Sequence, residues 1–193
     1  MIRPMREDDD IPTVARLVLL TDTDLFRHLF GKGDVAAARL SRLVVRNKNP
    51  FSHKHITVAV SGTRILGIMI TTMPGKLEAD ASDFQAACGL LGMMRLLATS
   101  LIVFPVLSER GIRGRYIQNI SVDPDFRGQG IGTRFLAYAE NQARHDGIRH
   151  LTLDVSLKND GARTLYTRLG FAKTKTKRAW GLFPMTVRME KTL

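Results

Sequence analysis

Apolar positions along this chain switch between helical and extended spacing. Residues 2–5 read as a short strand. Asp8, Asp9 and Asp10 then offer N-cap and first-turn carboxylates to a helix whose apolar face takes in Ile11, Val14, Leu17 and Val18. A second helix is expected over 24–30, stopped by Gly31 and Gly33. A third is expected over 34–46, with Ala37, Leu40 and Val44 on one face and Asn49-Pro50 beyond its end. From residue 55 the spacing becomes extended. Residues 55–60 and 64–72 are β-rich runs joined by Ser61-Gly62-Thr63, a hairpin signal. Further strands are predicted over 115–122, 150–156, 171–180 and 183–189, with helices over 131–145 and 161–169. The chain therefore reads as α/β (α+β mixed), with strands and helices sharing one sheet.

One stretch has no amphipathic period. Between Ala86 and Leu107 the clearly polar residues are Arg95, Thr99 and Ser100, and the length approaches that of a membrane span. Gly89, Gly92, Arg95 and Pro105 interrupt it, and strands of the same sheet precede and follow it. A span is therefore not expected. The expectation is one or two buried helices within an insertion at about 76–114 of a single domain covering 1–193. A hydrophobic lid, a dimer surface and a shallow membrane contact are the alternatives.

Composition alters the picture in three ways. The 193 residues and 44% apolar content suffice for one core. The single cysteine, Cys88, excludes an internal disulfide, and no secretory signal opens the chain, so a cytoplasmic setting is expected. The net charge of +11 favours anionic ligands. It comes without zinc-finger spacing, an RNA-recognition signature or interleaved aromatics, so no nucleic-acid partner is expected. His53 and His55 lack further ligands nearby in sequence, and no metal is expected. Cys88 in its apolar run reads as inert core.

The stretch with the clearest chemistry is Tyr116-Ile-Gln-Asn-Ile-Ser-Val-Asp-Pro-Asp-Phe-Arg-Gly-Gln-Gly-Ile-Gly-Thr133. A strand ends at Val122, Asp123-Pro124 turns the chain, and glycines open a helix. Glycine lets backbone approach a ligand closely, and unpaired amides at a helix start favour phosphate. A Walker loop would need Gly-Lys followed by Ser or Thr, and a dinucleotide loop would need glycine at 133. Arg127, Gly130 and Gly132 fit a third pattern, Arg or Gln followed by x-x-G-x-G or Ala. Taken alone, the loop predicts an anion site, with a ligand-free glycine turn as the alternative.

Together with Asn159, Leu165-Tyr166 and Leu169-Gly170-Phe171, this stretch resembles the GNAT acetyltransferase superfamily. The close resemblance covers roughly 116–171. It implies a mixed, mostly antiparallel sheet of about seven strands, splayed at the acyl-CoA site between the strand ending at Val122 and the strand at 151–155. It also implies acetyl-CoA as co-substrate and an amine as acceptor. Backbone groups of Ile120 and Val122 would hold the pantetheine amides. Those of Arg127, Gly128, Gln129, Gly130, Ile131, Gly132 and Thr133 would hold the pyrophosphate, and Asn159 would contact the pantetheine arm. Tyr166 takes the position of the acid that protonates the departing thiolate.

Many relatives carry a Glu on the strand before the loop, where this chain has Gln118, Asn119 and Ser121. Asp154 is then the carboxylate best placed to act as base. A base matters most for a lysine-like amine, whose deprotonation at pH 7 costs about 4.6 kcal/mol, against about 1 kcal/mol for an α-amino group. Residues 21–33 and the insertion are expected to border the acceptor. A homodimer is compatible with this reading, and a non-catalytic acyl-CoA-binding regulatory module is the alternative function.

Overall fold

The computed structural model describes residues 1–73, 80–107, 111–179 and 183–193. Its elements, in chain order, are β1 (Ile2–Pro4), α1 (Ile11–Leu19), α2 (Thr23–Phe30), α3 (Gly33–Val44), β2 (Ile56–Ser61), β3 (Arg64–Thr72), α4 (Ala81–Leu107), β4 (Arg115–Val122), α5 (Ile131–His145), β5 (His150–Ser156), α6 (Asp160–Arg168), β6 (Ala172–Ala179) and β7 (Phe183–Thr192). The expected order of elements is present, with ends shifted by a few residues. The acidic run divides its labour: Asp10 caps α1 through the Thr13 amide, while Asp9 pairs with Arg3 at 2.6 Å.

The strands form one seven-stranded sheet in the order β1-β2-β3-β4-β5-β7-β6. Every neighbouring pair is antiparallel except β4 and β5, which run parallel. Strand alternation separates two cores. On one face Val58, Ile68 and Ile70 pack under α1–α4. On the other, Met69, Ile117, Leu151 and Leu153 pack under α5 and Tyr166 of α6.

Two irregularities shape the middle of the sheet. The β3–β4 register shifts so that Ile70 pairs with Asn119 but Thr71 pairs with Ile117, leaving Gln118 as a bulge. The β4–β5 ladder holds only from Arg115↔Leu151 to Ile117↔Leu153. Beyond that the two strands diverge, and this is the expected splay.

The apolar segment corrects one expectation. It forms α4, broken at Gly89 (φ 68°), but the helix is not buried all round. Ala87, Cys88 and Leu96 enter the core. Leu90, Leu91, Met94, Leu97 and Leu101 are 61–80% exposed. One helix in the described residues, at 81–101, has the length and apolarity of a membrane span, although part of its surface belongs to the protein core.

Candidate functional site

The glycine loop is fastened at its start. Asp123 donates its amide to Leu66 O of β3 at 2.9 Å, and its carboxylate accepts the Asp125 amide at 3.2 Å. The same carboxylate receives Arg16 Nη2 of α1 at 2.6 Å. This guanidinium contact holds the Asp123 carboxyl below its ordinary range, against the opposing effect of burial. Arg64 lies 4.5 Å over the Phe126 ring, and Arg127 Nε donates to Val122 O.

Beyond this anchor Gly128 and Gly130 adopt φ values of 77° and 75°, where a β-carbon is strained. Gly130 is the N-cap of α5, and no side chain caps the helix there. The Arg134 amide bonds back to Gly130 O. The amides of Ile131, Gly132 and Thr133 are therefore left at the positive end of a 15-residue helix. Thr133 and Arg127 flank this start, and Gly132 brings the backbone close to Leu165 of α6. These residues fit a pyrophosphate. The uncapped amides and the left-handed glycines are the observations that say so.

Where β4 and β5 part lies a cavity of about 390 Å³. Its lining joins residues from both cores. Ile117, Leu153, Val155 and Tyr166 belong to the α5–α6 face, whereas Phe26, Phe30, Phe51 and Leu96 belong to the α1–α4 face. The cavity therefore passes through the sheet where β4 and β5 part. Two reactants could reach a common point from opposite faces.

The expected site residues fall along this path. Ile120 lines the cavity, and Val122 lies at the end of β4, beyond the last β4–β5 pair. Asn159 lines it too, but its Oδ1 accepts the Ala162 amide at 3.0 Å as the N-cap of α6. Its side-chain nitrogen makes no hydrogen bond among the described residues and is the group available to a ligand. Tyr166 is buried beside Phe171, with ring centroids 6.0 Å apart, and burial pushes its phenol up to about 12. It is a neutral donor at any physiological pH.

Asp154 also lines the cavity, within a cluster of charges. Its Oδ2 lies 2.6 Å from Lys177 Nζ and 3.0 Å from Arg188 Nη2, while Arg188 Nε reaches Oδ1 at 3.0 Å. Tyr116 Oη donates to the same carboxylate at 3.1 Å. Lys177 and Arg188 are both buried. Desolvation lowers the Lys177 pKa, and Asp154 opposes that effect. The Asp154 carboxylate is thus the counter-charge of two buried cations. The sequence reading did not anticipate this cluster. Asp154 and Arg188 are paired across β5 and β7, and Lys177 comes from β6, so only strand register brings the three together.

Residues 21–33 do reach the cavity, through Thr21, Asp22, Leu25, Phe26, Leu29 and Phe30. Asp22 is committed as the N-cap of α2. Cys88 packs into the α1–α4 core, where burial pushes its thiol up, away from a reactive thiolate. Among the described residues no cluster of three or more His, Cys, Asp or Glu side chains forms.

Residues 86–171 match the model of the Acetyltransferase (GNAT) family. An uncharacterized N-acetyltransferase of Methanocaldococcus jannaschii is 44% identical over 64 residues, which are 33% of this chain and 28% of that protein. The [Ribosomal protein bS18]-alanine N-acetyltransferase of Escherichia coli K12 is 35% identical over 68 residues, 35% of this chain and 45% of that protein. The aligned segments thus span less than half of either relative. In fold, an N-acetyltransferase from Staphylococcus aureus Mu50 superposes with a TM-score of 0.77 at 22% identity, covering 98% of this chain and 99% of that one. A GNAT family acetyltransferase from Elizabethkingia anophelis with acetyl-CoA bound gives 0.59 at 16% identity, covering 100% and 97%.

Proposed function

We propose that this chain, whose residues 86–171 match the GNAT family model, transfers an acetyl group from acetyl-CoA to a primary amine, residues 1–193 acting as one catalytic domain. The observation that carries this reading is the cavity crossing the sheet at the β4–β5 splay, with Tyr166 and Asn159 along it. Acetyl-CoA supplies an activated acyl group. The open amides of 131–133 hold its pyrophosphate, assisted by the turn from Arg127 to Gly130. Backbone groups of Ile120 and Val122, left without β5 partners, take the pantetheine amides, and Asn159 contacts the arm.

The acceptor enters from the α1–α4 face, and its neutral nitrogen attacks the thioester carbonyl. As the C–N bond forms and the C–S bond breaks, the buried Tyr166 phenol donates to the departing sulfur. Asp154 is the carboxylate closest to a base in this site. Its two cations make it better suited to holding β5, β6 and β7 together around the cavity. The amine proton then passes to water, and the cost of deprotonation falls on the acceptor's own basicity.

A free-thiol assay with acetyl-CoA and a panel of primary amines tests the proposal. Acceptor-dependent thiol release is expected. Tight acetyl-CoA binding without release for any amine would favour the non-catalytic acyl-CoA-binding module.

A further inference from the structure

The cavity changes character as it passes through the sheet. Its α5–α6 end carries polar groups from Asn159 and Tyr166, while Asp154, Ser156 and Thr186, alternating with Leu153, Val155 and Val187, lie on the opposite face of the sheet. Its α1–α4 end is walled by Leu25, Phe26, Phe30, Phe51, Phe84 and Leu96. Three of these rings pack on one another. The Phe26–Phe30, Phe26–Phe51 and Phe30–Phe51 centroids lie 6.0, 5.7 and 5.8 Å apart, so the wall is a fixed aromatic surface.

Two of the polar groups near this wall are already in use, while Gln118 Oε1, Asn119 Oδ1 and Thr186 Oγ1, on residues that also line the cavity, are buried without a hydrogen-bond partner among the described residues. Thr21 Oγ1 donates to Val18 O and accepts Asn119 Nδ2 at 2.7 Å. Asp22 Oδ1 accepts the Leu25 amide. The Gln118 and Asn119 oxygens can receive the N–H groups of an amine, whereas the part of the acceptor that lies against the aromatic wall would lose water without replacement hydrogen bonds.

The wall is also braced from outside. Arg95 of α4 donates to His28 O and Arg27 O, and Thr99 donates to His28 O. These bonds tie α4 to the last carbonyls of α2, so Phe84 and Leu96 keep their places opposite Phe26 and Phe30. Size sets a further limit. An apolar cavity of about 150 Å³ accommodates benzene. The volume of about 390 Å³ must also admit the thioester, which leaves room for roughly one ring and a short linker.

We propose that the acceptor is a primary amine with an apolar body of about one ring, an arylalkylamine or branched alkylamine, and that α4 is the element that selects it. This rests on the acetyl-transfer reading above. It accounts for Phe84 and Leu96, the apolar side chains that α4 gives to the cavity beside Ser100.

The test measures kcat/KM by thiol release from acetyl-CoA. It compares 2-phenylethylamine and 3-methylbutylamine with ethanolamine and 1,4-diaminobutane. A preference of at least about tenfold for the apolar pair over ethanolamine is expected. Phe84→Ser should reduce that ratio and Ser100→Val should increase it, each leaving KM for acetyl-CoA unchanged. The second variant adds apolar surface to the same wall, so it reports even if the first folds poorly.

Preference for the polar amines, or a ratio unmoved by both variants, overturns the assignment while acetyl transfer stands. A ratio unmoved for amines but a shift from acetyl-CoA to hexanoyl-CoA would give the wall to the acyl chain and overturn it as well. Absence of release with every amine removes the transferase reading and this inference together.

Discussion

Tyr166→Phe removes one oxygen from the cavity and leaves the ring that packs on Phe171. Burial raises the phenol to about 12 from its ordinary 10.0, which disfavours the phenolate. A thiol resembling that of cysteine titrates near ~8.5, so full transfer of the phenol proton to a free thiolate would be uphill. The phenol therefore contributes chiefly as a hydrogen-bond donor aimed at charge developing on sulfur. Removing one such donor costs about 10²- to 10³-fold in kcat, or about 2.7–4 kcal/mol.

The expected result is that loss in kcat, with KM for acetyl-CoA changed little. The sign of the pH dependence follows from the direction of the shift. The protonated phenol is the active form, so its contribution is present below about 12 and lost only as pH rises through that value. Up to about pH 10 the wild type should show no falling limb from this group. The assay is steady-state thiol release, with a pre-steady-state burst used to establish that chemistry limits turnover. A kcat within about threefold of wild type under those conditions would refute the argument. So would a falling limb below pH 10 that disappears in the variant.

Four further outcomes follow from the geometry. Gly130→Ala meets open space but forces a β-carbon onto φ 75°, so it should cost roughly 1–2 kcal/mol in stability and raise KM for acetyl-CoA, read by thermal shift and titration. Asp154→Asn leaves Lys177 and Arg188 facing a neutral amide and should destabilise the fold by about 3–5 kcal/mol in urea unfolding; near-native stability with a changed kcat pH profile would restore Asp154 as a base. Asp123→Asn should cost about 1 kcal/mol at pH 7, since Arg16 is half exposed. The Asp123 carboxyl is depressed in the fold, so its contribution is present above about pH 4 and fades as pH falls through the folded value, and the gap between variant and wild type should close in acid. Leu97→Lys, at an exposed site, should change stability by no more than about 0.5 kcal/mol, whereas Leu96→Lys should cost several times that, by denaturant titration.

Much of the fold was legible because its determinants are local. The β-rich runs at 55–60 and 64–72, the cap at Asp10 and the turn at Gly62 each act within a few residues, and each appears near its expected place. The loop proposed to hold the pyrophosphate was legible for the same reason. Positive φ at Gly128 and Gly130 and an uncapped helix start are properties of contiguous chain. Asp154 was visible as a carboxylate, but its surroundings were not. Whether it meets a substrate or two cations depends on strands β6 and β7, which pair only after the whole sheet is assembled.

The sequence by itself thus determined the order of elements, the loop and the candidate donor Tyr166. Tertiary structure decided where the splay begins, which side chains face each other through it, and how α4 is turned. The physical reason is plainest in α4. A helix apolar on every side has no preferred face, so nothing in its spacing tells Leu96 to line a cavity and Leu97 to face solvent. Packing against α2 and α3, through Arg95, Thr99 and Arg42, settles that orientation.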